Sequence, residues 1–130
     1  MGAGIGTGKQ AGDIEFCVQV PGHLAATVTE LVSLLYLPHD FDITAINVIP
    51  TTAVTGIVTH TTHYNIMDDA AEKANIDFVS GVDLVAHTPK AITVTAWTLD
   101  AGDHLNLQIE KVGNGVLIPA TTLQIQGQWA

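Results

Sequence analysis

The stretch Leu99–Glu110, LDAGDHLNLQIE, decides the fold. Asp100-Ala101-Gly102-Asp103 has the composition of a tight turn, in which glycine takes a positive φ without steric penalty. Beyond it the residues alternate: Leu105, Leu107 and Ile109 point one way, His104, Asn106, Gln108 and Glu110 the other. A period of two marks a strand with one buried and one solvated face, and such a strand needs a second apolar layer.

The same pattern recurs outward from this stretch. Upstream, Thr93, Thr95, Trp97 and Leu99 alternate with Ile92, Val94, Ala96 and Thr98, predicting one strand that feeds the turn. Downstream, Val112-Gly113-Asn114-Gly115 predicts another turn. In the last strand Leu123, Ile125 and Trp129 oppose Thr122, Gln124, Gln126 and Gln128, with Gly127 relaxing the packing between them.

Toward the start of the chain, Ile14, Phe16, Val18 and Val20 share one face of a strand and Glu15, Cys17 and Gln19 the other, before Pro21-Gly22 breaks it. Cys17, the only cysteine, reads as an ordinary small strand residue that behaves as a buried hydrophobe. Thr27–Leu37 predicts a second strand, with Val32, Leu34 and Tyr36 opposite Leu31, Ser33, Leu35 and Leu37. A turn at Pro38–Asp42 precedes a strand from Ile43 to Ile49, closed by Pro50. Both its faces are apolar apart from Asn47, which predicts cover on both sides. Val58–Met67 predicts a strand ended by Asp68-Asp69, with His60, Thr62, Tyr64 and Ile66 on one face. Ala70–Asn75 reads as a connector, because an isolated helical turn this short is marginal. Ile76–Val79 predicts a short strand.

About eight short strands separated by Pro, Gly, Asp and Asn, with no helix of ordinary length, make an all-β, two-sheet antiparallel β-sandwich. The strand number suits a jelly-roll; an immunoglobulin-like sandwich shares the pattern, although the chain lacks the two cysteines of a true immunoglobulin domain. The 130 residues fit one domain, placed at 13–130. Residues 1–12 carry five glycines and little that could bury, and read as a flexible arm.

Charge restricts the partners. Four lysines against thirteen acids give a formal net charge of −9, and arginine is absent. The bidentate ligand of phosphates and base edges is therefore missing, and neither nucleic acid nor an anionic membrane is expected as a direct partner. The opening MGAGIGTGKQAGD has neither the basic start nor the apolar stretch of a secretory signal.

No catalytic, cofactor or metal residue is assigned. Of the six histidines, His60 and His63 are the nearest pair, but three residues apart on a strand puts them on opposite faces. A zinc site would need His60 to meet Glu72, or His63 to meet Asp68, across a turn. Asp40 with Asp42, and Asp68 with Asp69, offer oxygens suited to calcium without the spacing of an EF-hand, and Asp100 and Asp103 read as turn formers. Gly2, Gly4, Gly6 and Gly8 before Lys9 are in the wrong order for a phosphate loop. Ser33 and Ser80 are the only serines, and neither lies in a Gly-x-Ser-x-Gly elbow. The chain reads as a non-enzyme. Its distinctive surface is uncharged: Thr51, Thr52, Thr55, Thr59, Thr61 and Thr62 in one region, and Gln124, Gln126 and Gln128 along the last strand. Such a surface forms hydrogen bonds to a partner without desolvating formal charges.

Three stretches carry a resemblance: residues 42–56 (DITAINVIPTTAVTG), 78–84 (FVSGVDL), and the closing half from LDAGD at 99–103 through KVGNGVLIPA at 111–120. In these the chain resembles the small capsid decoration, or cement, proteins and related head proteins of tailed bacteriophages. The resemblance implies a jelly-roll or related sandwich on the outer surface of the virion capsid, assembled in the host cytoplasm. It also implies a dimer or trimer that bridges subunits of the major capsid protein. The arm at 1–12 would be a clamp, and the loops at 38–42 and 113–119 candidates for contact. A carbohydrate- or receptor-binding sandwich of a phage fiber is the alternative, although Tyr36, Tyr64, Trp97 and Trp129 are few aromatics for that role. A small metal-dependent enzyme comes third.

Overall fold

The computed structural model describes residues 13–22, 29–59, 61–113 and 116–130. The arm at 1–12, His60 and the Asn114-Gly115 part of the later turn lie outside them. Nine strands follow in order: β1 (Asp13–Val20), β2 (Glu30–Tyr36), β3 (Phe41–Pro50), β4 (Thr62–Asp68), β5 (Ala71–Asp77), β6 (Lys90–Ile92), β7 (Trp97–Leu99), β8 (His104–Lys111) and β9 (Thr121–Trp129). Among the described residues there is no helix, and so none long and apolar enough to cross a membrane.

Every pairing is antiparallel. The first sheet runs β1-β9-β3-β6, with β7 also paired to β3; the second runs β2-β8-β4-β5. The partners nest: β1 with β9, β2 with β8, β3 with β6 and β7, β4 with β5. That is a long hairpin rolled on itself, the connectivity of a jelly roll. Along one flank the layers are stitched together, by an Ala74–Val94 bridge and by the Trp97 Nε1–H, which donates to Asp68 Oδ2 at 3.2 Å. The edge strands β1 and β2 therefore share the opposite flank.

The core is formed by the inward positions of both sheets. Phe41, Ile43, Ile46, Val48, Leu123 and Ile125 come from the first, and Tyr64, Ile66, Ala74, Ile76, Leu105, Leu107 and Ile109 from the second. Phe41 is held edge-on by Phe16 (5.3 Å) and Trp129 (5.1 Å), geometry that adds to simple area burial. The buried Tyr64 packs edge-on against Phe78 at 5.3 Å, and burial pushes its phenol well above the ordinary range.

The alternation of β1, β8 and β9 holds as the sequence predicts. Five expectations are corrected. The apolar run of β3 is resolved by a bulge between Ile43 and Ala45, which lets Ile43, Ile46 and Val48 all face inward. Cover on its outer face is not needed to explain it. A second bulge, between Ser33 and Leu35, puts Val32 and Leu35 inward and Leu31, Ser33 and Tyr36 outward. The connector predicted at Ala70–Asn75 and the strand predicted at Ile76–Val79 are one strand, β5, paired along β4. The strand predicted through 92–99 is two short pieces, because the chain leaves the first sheet at Val94 to bridge Ala74. The strand predicted to begin at Val58 begins at Thr62.

Candidate binding surfaces

The outward side chains of the first sheet form ladders across the strands. Gln19 Nε2 donates to Thr122 Oγ1 (3.1 Å), Asn47 Nδ2 to Gln124 Oε1 (3.0 Å) and Gln126 Nε2 to Glu15 Oε1 (2.8 Å). Toward the other end Thr98 Oγ1 donates to Asp42 Oδ1 at 2.5 Å. Each pair stands directly opposite in register, as the strand pleat requires. The predicted glutamine row of β9 is thus a surface with its amides already oriented. Gly127 lets the strands approach: a Cβ there would lie 1.9 Å from the Asp42 carbonyl oxygen. Cys17 stands on this outer face opposite Gln124 and is exposed, which corrects its reading as a buried thiol. Strand parity alone puts it outside, with Glu15 and Gln19.

The outer face of the second sheet is different in shape. Its middle strand β8 sends His104, Asn106 and Gln108 outward between the side chains of β2 and β4, and they form the floor of a trough of about 590 Å³. Leu31 and Ser33 line one wall, Met67, Asp69 and Ala70 the other. Asn106 is only 7% exposed although it points away from the core. Ser33 Oγ and His104 Nε2 are 2.6 Å apart. Asn106 Nδ2 donates to the carbonyls of Asp69 (3.2 Å) and His104 (3.3 Å), Gln108 Oε1 accepts from Asn65 Nδ2 (3.0 Å), and Asp69 Oδ1 accepts from the His104 backbone N–H (2.9 Å). Sequence reasoning missed this constellation, since Ser33 lies 71 residues from His104 and a bulge sets its facing.

The residues weighed for metals are distributed otherwise than their spacing suggested. His63 Nδ1 lies 3.5 Å from both Asp77 and Glu110 across the sheet, and its other ring nitrogen 3.1 Å from Thr61 Oγ1, so it does not meet Asp68. Asp40 accepts from the Ala101 N–H at 2.7 Å in a turn, while Asp42 pairs with Thr98 across β3 and β7, so these two carboxylates do not share a site. Asp68 and Asp69 do converge, and Asp103 joins them, with their ligand oxygens within 4.8 Å of one another. Asp103 keeps its turn role through its backbone N–H, which donates to Asp100 O at 3.0 Å; Gly102 takes a φ of 85°. Its carboxyl is pushed up to about 6, first by burial, then by a hydrogen bond shared with Asp68 and by the charges of Asp68, Asp69 and Asp100.

No protein-family model matches the chain, and no curated protein matches it. Among solved structures it is similar to a chain described with Bacillus endospore appendages, a family of disulfide-linked pili. The identity is 10%, all of both chains is covered, and the TM-score is 0.47. That level of likeness carries no argument about function.

Proposed function

We propose that this chain is a non-enzymatic structural protein that binds the outside of an assembled capsid and stabilises it by bridging coat subunits. The observation that carries the reading is the outer face of the first sheet, where neutral amides and hydroxyls are held in register, by one another and, at Gln126, by the Glu15 carboxylate. Ordered neutral groups lose little side-chain entropy on docking, and their burial avoids the large desolvation cost of formal charges. A net charge of −9 keeps free copies apart in solution, while Glu15 and Asp42, carboxylates within this face, are each bonded to a neutral neighbour. The resemblance of residues 42–56, 78–84 and 99–120 to phage decoration proteins supplies the identity of the larger surface.

Affinity on a shell would arise from repetition. A dimer or trimer placed on a symmetry axis repeats each modest contact, and the linked contacts dissociate far more slowly than one alone. The test is rebinding of purified protein to capsids stripped of it. Binding in a fixed copy ratio, with a raised shell-disruption temperature, is expected; no rebinding at saturating protein overturns the proposal.

A further inference from the structure

We propose that the trough on the second sheet, between β2 and β4 over β8, is a binding site for a neutral carbohydrate. This goes beyond capsid attachment and uses the opposite face of the molecule.

The unused hydrogen-bonding capacity comes first. With the bonds already described, Asn106 Oδ1, Gln108 Nε2 and the second oxygen of Asp69 have no protein partner among the described residues. Asn106 is more than nine-tenths buried and lines the trough, and with its Nδ2 bonded to two carbonyls its Oδ1 is left to accept from whatever enters. A buried acceptor of this kind favours a ligand that donates to it. The Ser33–His104 pair beside it both donates and accepts. A row that mixes fixed acceptors with donors matches hydroxyl groups, each of which does both.

The walls narrow the class further. Leu31, 69% exposed, lies on one wall and Met67 on the other, giving apolar contact for the C–H face of a sugar ring. Tyr36, 71% exposed, extends the same wall beyond His104, its register partner. An anionic ligand is disfavoured, since Asp69 lines the trough with Asp68 and Asp103 beside it. An extended peptide finds no main-chain ladder, because β8 is already paired on both edges with β2 and β4. The volume of about 590 Å³ falls within the ordinary range of small-ligand sites.

The experiment is a glycan array carrying neutral hexose and N-acetylhexosamine oligomers beside sialylated and sulfated ones, followed by NMR titration with the best neutral oligomer and its monosaccharide. Neutral oligomers should bind and shift the His104 ring signals. Ser33→Leu, which fills the trough, and Gln108→Ala, which removes a donor, should each weaken binding by about tenfold or more while the thermal unfolding curve shows a folded protein. A response to the monosaccharide separates recognition of a free sugar from recognition of a polysaccharide chain. The proposal is overturned by no neutral-glycan binding up to about 10 mM, by a preference for anionic glycans, or by unchanged affinity in both folded variants. Rebinding of Ser33→Leu protein to stripped capsids reads the other face, so failure of one proposal is distinguishable from failure of the other.

Discussion

The two outer faces are built from the same period-two pattern, yet one is a mesh of paired side chains and the other a trough. On the first sheet Gln, Asn and Thr side chains meet partners directly across the strands and pair with one another. On the second, β8 lies low between bulkier neighbours, and Asn106 turns its amide back onto backbone carbonyls. Alternation fixes which residues face out, while the residues of adjacent strands fix what an outward position becomes.

The largest expected effect tests the mesh. Gly127→Ala would drive a methyl group into the Asp42 carbonyl oxygen and force β9 away from β3. A loss of about 3 kcal/mol or more is expected in chemical denaturation; retention of wild-type stability would show that the close approach of these strands is not needed. Asn106→Ala comes next, in the trough. It leaves the Asp69 and His104 carbonyls without their amide donor and should cost about 1–3 kcal/mol. A cost under half of that would mean that water replaces the amide at those two carbonyls.

A change of pH probes the acidic corner beside the trough. Asp103 binds its proton more tightly folded, at about 6, than the ordinary 3.8. Between those values the native state holds more protons than the unfolded one, so this group makes stability fall as pH rises from about 4 to about 6. Asp103→Asn should flatten that part of the stability profile and raise the melting temperature at pH 7 relative to wild type. Parallel profiles for the two proteins would show that Asp68, Asp69 and Asp103 do not repel as the geometry implies. The smallest effect belongs to Gln124→Ala. Its partner Asn47 can turn to water, and a change below about 1 kcal/mol is expected by denaturant titration. A larger loss would make the mesh, too, an integral part of the fold.

Much of the architecture was legible because β1, β8 and β9 alternate without interruption and their inward residues are mostly apolar. The bulges in β2 and β3 were not, since one extra residue reverses the facing of everything after it and leaves no mark in composition. Strand β5 was hidden because Ala71-Glu72-Lys73-Ala74-Asn75 has no β-branched or aromatic residue; its pairing with β4 overrides local preference. The trough was illegible for a different reason. Its parts come from β2, β4 and β8, and nothing within any one segment announces that they converge. The neutral glutamine row, by contrast, lies within one strand and was visible at once.

The stitching on one flank gives the molecule the mechanics of a bound book. The Ala74–Val94 bridge and the Trp97–Asp68 bond form its spine, while β1 and β2 are the loose fore-edge. Tension applied across the covers is thus concentrated at the spine, where an indole, and hence an intrinsic fluorescent reporter, already sits. Emission from Trp97 would register the moment the pages part.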